Sequence, residues 1–122
     1  MDCPLDYSFC DRTATWYAFR EGKVLRRVLD RCFLQVQTKE FESTLSPSQE
    51  RAFVLIVPGA VALQPGDRVL EGIGPVVDGQ QWERFIPANI PGLCQVQFVQ
   101  QYHWNGQVCH TEAGRKASNF LF

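Results

Sequence analysis

The tightest constraint on the fold of this 122-residue chain is Ala52 to Val57, a six-residue apolar run stopped by Pro58-Gly59. It is too short to span a bilayer, and its Val, Ile and Phe content favours a buried strand over a helix. Val61 and Leu63 follow, and then Gln64-Pro65-Gly66-Asp67. That quartet suits a type II turn: proline fixes φ at the second position and glycine tolerates a positive φ at the third. The chain resumes as Arg68-Val69-Leu70-Glu71 and breaks again at Gly72 and Gly74. Strand, turn, strand, turn is the order of a small antiparallel β domain.

The rest of the chain extends that order. Thr13 to Phe19 alternates Ala14, Trp16 and Ala18 against Thr15, Tyr17 and Phe19, and Arg20-Glu21-Gly22-Lys23 reads as a hairpin turn. Val24 to Thr38 carries two periods. Val24, Val28 and Cys32, with Leu25, Leu29 and Phe33, recur at helical spacing, while Cys32, Leu34 and Val36 alternate at period two. No N-cap residue stands at its entrance, so a strand bulged near Asp30 is expected, with one short helix as the alternative. Lys39 to Glu50 is polar and reads as a long connection, although Ser46-Pro47-Ser48-Gln49 matches a capping box for a single helical turn. Asp78-Gly79 is a hairpin signal, and Gln81 to Ile86 reads as a short strand. Leu93 to Trp104 is the longest alternating run. Asn105-Gly106 returns it into Gln107 to Glu112 through a two-residue turn. That register sets Trp104 opposite Gln107, His103 opposite Val108, Tyr102 opposite Cys109 and Gln101 opposite His110. The expectation is one all-β, mainly antiparallel domain over residues 1–122: a small barrel or sandwich of about six to eight strands with a long loop and at most one short helix. Residues 1–12 and 115–122 are expected to be loose termini.

Composition narrows the function. At 13.9 kDa the chain is one domain, with 45% hydrophobic and 12% aromatic residues, enough for an independent core. A formal net charge of −1 gives no global pull toward nucleic acid or anionic lipid. Met1-Asp2-Cys3-Pro4 lacks the basic and apolar parts of a signal peptide, so a soluble, cytoplasmically made chain is expected. In that compartment Cys3, Cys10, Cys32, Cys94 and Cys109 are expected as reduced thiols, with a Cys3–Cys10 bridge as the alternative. Their spacings fit no zinc pattern.

Three constellations carry potential chemistry. Cys109-His110 with Glu112 invites a thiol-hydrolase reading, but strand neighbours point to opposite faces and a nucleophile must meet its base. His103, His110 and Glu112 could hold a metal inside a barrel, against the plainer reading of strand histidines. Arg20, Lys23, Arg26, Arg27 and Arg31, near Trp16, Tyr17 and Phe19, have the makings of a single-strand-binding face, against a solvated hairpin balanced by Glu21 and Asp30. Gly72-Ile73-Gly74 is no phosphate loop, since no Lys follows it. No catalytic residue, metal ligand or cofactor is assigned.

In order, RRVLDRCF at Arg26 to Phe33, VLIVPG at Val54 to Gly59, PGDRVLEG at Pro65 to Gly72 and GQVCHTEAG at Gly106 to Gly114 form a recognisable series. The series resembles the small head–tail connector, or neck, proteins of tailed bacteriophages and prophages, also called head-closure or minor capsid proteins. The resemblance implies a β-barrel with long loops, sitting in the virion neck after assembly in the host cytoplasm. It implies partners among portal, adaptor and tail proteins, self-association into a ring on assembly, no specific nucleic acid, no membrane and no enzyme activity. A small ligand- or nucleic-acid-binding barrel is the alternative, and a metal-dependent barrel enzyme a third. A connector needs segments that order when neighbours arrive. Phe41 and Leu45 in the polar connection, and Phe120, Leu121 and Phe122 in the tail, are the candidate interface residues.

Overall fold

The computed structural model describes residues 3–37 and 51–116. Seven strands form one antiparallel sheet: β1 (Arg12–Arg20), β2 (Lys23–Val36), β3 (Phe53–Pro58), β4 (Arg68–Glu71), β5 (Cys94–Gln95), β6 (Phe98–Trp104) and β7 (Gln107–Arg115). Their order is β5-β4-β1-β2-β3-β7-β6, and the sheet curls into a half-barrel. The all-β expectation holds.

Local turn chemistry sets the hairpins. Glu21 and Gly22 both have positive φ, at 54° and 79°, and join β1 to β2 in a two-residue turn. Asn105 and Gly106, at 50° and 81°, do the same for β6 and β7. Both match the twist of the strands they connect. At Gln64–Asp67 the Asp67 amide donates to the Gln64 carbonyl at 3.0 Å, closing the expected turn.

Strand β2 is long enough to serve both halves of the sheet. Its first part pairs with β1 and its last part with β3. Between them Arg12 pairs with Cys32 but Ala14 pairs with Leu29, so β2 carries one extra residue around Asp30-Arg31. This bulge explains the two periods in the sequence. It moves the core-facing positions from odd to even numbers, from Leu29 to Cys32, Leu34 and Val36, so the three-residue step at the bulge imitates a helical stripe while the chain remains extended.

Burial on the concave side gathers Leu29, Cys32, Leu34, Phe53, Leu55 and Val69 with residues of β5 and β7. Strand β3 alternates buried and half-buried along its whole length, as a central strand does. Residues of two further segments cover the convex side. Val77, Phe85 and Leu93 pack on Tyr17, and Tyr7 and Cys10 form a cluster with Cys109, Phe33 and Ile56. Where β7 passes β3, a Cβ on Gly114 would stand 2.2 Å from the Phe53 carbonyl oxygen, so only glycine fits there.

Three local expectations are corrected. Asp78-Gly79 makes no hairpin, and Gln81 to Ile86 is no strand but a single 3-10 turn at Trp82–Arg84. The cause is a reciprocal cap: the Gln81 amide donates to Asp78 Oδ1 and the Asp78 amide to Gln81 Oε1, each at 2.9 Å. The run from Leu93 to Trp104 is two strands, because Val96 turns to the other edge. Its amide donates to the Asp67 carbonyl, its carbonyl accepts from Gly66, and the next amide, Gln97, donates to Gly114. That short link draws the β4 and β7 sides of the curl together. Ahead of β1, residues 3–11 run to β7, where a disulfide joins Cys3 to Cys109.

Candidate functional site

The chemistry-bearing residues of the sequence meet at the β6–β7 hairpin. Tyr102 pairs with His110 and His103 with Val108, which leaves Cys109 as an extra residue on β7. The expected pairs Tyr102–Cys109 and Gln101–His110 are each displaced by one residue. The bulge also overturns the opposite-face argument for Cys109 and His110. Cys109 is bonded to Cys3 and His110 accepts or shares a hydrogen bond with the Tyr7 hydroxyl, so both side chains meet the same N-terminal segment. No thiolate is available at Cys109 in the oxidised protein, and a Cys–His hydrolase cannot be built there. The bridge also corrects the expectation of five reduced thiols and its Cys3–Cys10 alternative; Cys10, Cys32 and Cys94 are free and buried. Nothing local in the sequence announces it, because it needs the bulge on β7 and the path of residues 3–10 over the sheet.

His110 is buried, stacked on Tyr102 with ring centroids 4.5 Å apart and set edge-on to Tyr7. His103 is exposed on the same hairpin. Among the described residues no three His, Cys, Asp or Glu side chains are grouped as a metal ion would need. Glu112 instead lies beside the Tyr102 phenol and raises its pKa. Burial lowers the His110 pKa from its ordinary 6.5, with Glu112 opposing. The folded protein therefore keeps this ring neutral at pH values where the unfolded chain is already protonated. The stability it contributes is complete above the unfolded value and is lost as pH falls through the folded one. His110→Ala is expected to cost about 1–3 kcal/mol, since it strands the Tyr7 hydroxyl and removes two ring contacts. It should also flatten the fall in stability as pH drops from neutral through the ordinary histidine value of 6.5. Urea titrations of both proteins across that range measure this, and identical pH profiles would contradict it. Removing a surface histidine would cost within about 1 kcal/mol, and the burial of His110 raises the expected loss above that.

The basic cluster is largely spent on the fold. Arg20 grips Asp67, Arg26 donates to the Gly74 carbonyl and Arg31 to the Tyr7 carbonyl. Lys23 and Arg27 remain exposed, too few for a backbone-tracking groove. Arg68 is buried, stacked 3.7 Å from the Trp82 ring centre and donating to the Trp82 and Phe85 carbonyls, so it fastens the 3-10 turn to β4.

What the surface offers instead is contact. Strand β6 ends the sheet and is exposed from Gln100 to Trp104, with Tyr102 40% and Trp104 45% accessible. Phe9 extends this aromatic row toward Phe33, while Ile73 and Val76 stand out at 75% and 76% on the loop after β4. A shallow groove of about 510 Å³ lies along Gln35, Val54, Phe98, Arg115 and Lys116. The five candidate interface residues Phe41, Leu45, Phe120, Leu121 and Phe122 lie outside the described residues. Their segments adjoin this groove in sequence, after Gln37 and after Lys116, which both line it. Compared with models of protein families, with curated proteins and with solved structures, the chain matches none.

Proposed function

We propose that the chain is a structural virion-assembly protein, a head–tail connector or head-completion component of a tailed phage or prophage. In this reading it binds portal or adaptor and tail proteins, joins copies of itself in a ring, and performs no catalysis. The observation that supports it best is the kind of surface on view. Large apolar side chains stand exposed at loop and hairpin tips, on Ile73, Val76 and Trp104, where burial within a single copy does not account for them. A binding enzyme would concentrate its polar groups in a cleft. The order of the four sequence landmarks supplies the choice among assembly roles.

The test is genetic. In the phage or prophage that encodes the chain, disrupting it is expected to leave filled heads and finished tails that fail to join, with joining restored by the intact chain. Complementation by a Phe41→Asp, Leu45→Asp chain is expected to fail although that protein folds. Normal virion yield from the disrupted phage would overturn the proposal. Restored joining by the double variant would remove Phe41 and Leu45 from the interface.

A further inference from the structure

Strand β6 reads Phe-Val-Gln-Gln-Tyr-His-Trp, seven residues hydrogen-bonded to β7 on one side and to no strand among the described residues on the other. Free strand edges invite pairing, and native proteins blunt them with charge, proline, bulges or shortness. The opposite edge of this sheet is blunted, for β5 is two residues long. Strand β6 has none of these devices. It contains no Lys, Arg, Asp, Glu or Pro, and the bulge of the hairpin lies on β7, so the outer rim of β6 stays regular.

We propose that this edge pairs antiparallel with β6 of a second copy of the chain, about a two-fold axis at Gln101. The sequence is complementary to itself in that register. Phe98 meets Trp104, Val99 meets His103, Gln100 meets Tyr102, and Gln101 meets its own copy. Aromatic side chains thus face each other at both ends, and no like charges meet anywhere along the seven positions. Tyr102, held against the His110 ring, is already set on the face it would share. Another occupant, such as a charged partner strand, would gain nothing from an uncharged rim. The contact is isologous and closes on itself, so it cannot propagate a ring, and ring neighbours would use other surfaces. One strand edge with its flanking rings buries less than the roughly 1,200 Å² of stable complexes, so the dimer is weak and depends on concentration.

Sedimentation of the full chain is expected to show a monomer–dimer equilibrium in the micromolar range and above. Gln101→Lys brings two ammonium groups together at the axis and should weaken dimerisation at least about tenfold. Gln101→Glu should do the same, and mixing the two variants should restore dimers as a mixed pair. Gln101 is exposed, so both variants should keep the far-UV spectrum of the parent. If the Lys variant does not fold, Gln101→Glu alone, which sets two carboxylates at the same axis, carries the same test of dimer loss. A parent chain that stays monomeric at every concentration overturns the proposal, as does a charged variant that dimerises like the parent. Failure of the mixture to recover overturns the two-fold register. The proposal does not rest on the connector reading: a monomer that still joins heads to tails removes the dimer alone, and a dimer without phage phenotype removes the connector alone.

Discussion

Cys3→Ser is expected to lower the unfolding free energy of the oxidised protein by about 2–4 kcal/mol. The bond closes a loop across 106 positions, nearly the whole chain, so breaking it restores much of the freedom of the unfolded state. The native state loses as well. Without the bond, residues 3–10 are held by the Tyr7 to His110 contact, the Arg31 bond to the Tyr7 carbonyl and the weak Cys10 bond to Ile56, all reached from one short segment. Urea unfolding should shift its midpoint by on the order of 1 M or more, given usual slopes for a domain of this size. Reductant should shift the parent by a similar amount. Alkylation separates the thiols. Burial pushes Cys32 and Cys94 up to about 11 and raises Cys10, so the folded oxidised chain should take up almost no label, the unfolded one three and the reduced unfolded one five. An unchanged midpoint in Cys3→Ser, or five labels without reductant, would show that the bridge does not form in solution.

What could be read in the sequence divides along the distance over which each signal acts. Glu21-Gly22, Gln64 to Asp67 and Asn105-Gly106 are decided by the φ preferences of two adjacent residues, and all three turns are present. The bulge near Asp30 was legible because it disturbs the alternation of β2 itself. The bulge at Cys109 was not, because β7 reads as a regular strand and the extra residue appears only in its pairing with β6. The Asp78 cap was misread for another reason: Asp-Gly suits a hairpin, and the rival partner, Gln81, lies one residue beyond the turn. As for the surface, β3 and β6 both read as strands in the sequence, although β6 carries Gln100, Gln101 and His103 among its apolar residues. That β3 is central and β6 terminal depends on the pairing of the entire sheet, so no local pattern could have marked the exposed edge.

Asp67 is the residue whose loss should cost the fold most. Its carboxylate is 2% exposed and receives four donors: Arg20 Nη1 at 2.8 Å, and Arg20 Nη2, Trp16 Nε1 and the Gln64 amide at 2.9 Å each. These donors come from β1 and from the turn that Asp67 itself ends, so one side chain ties the turn to the sheet. A buried ion pair is not stabilising merely by existing, since both charges give up water. Removing one partner is different, because the other keeps its desolvation cost and loses its compensation. Asp67→Ala is therefore expected to destabilise by about 3–5 kcal/mol, toward the low end because Arg20 retains some access to water. Asp67→Asn keeps the volume but turns an amide NH₂ toward a guanidinium, and should recover little. Replacing Arg20 by Met in the Asp67→Ala background should cost less than in the parent, which measures the pair directly. The consequences reach the closure of the curl. The Asp67 carbonyl and the Gly66 amide hold Val96, the residue through which β5 passes into β6. Loss of the carboxylate should speed hydrogen exchange at the Val96 amide ahead of the β3 amides, as local opening does. If Asp67→Ala stays within about 1 kcal/mol of the parent, the turn is held by its own backbone and the carboxylate is dispensable. If it destabilises the protein but leaves Val96 exchange tied to global unfolding, the two edges are joined by the concave core and not by this turn.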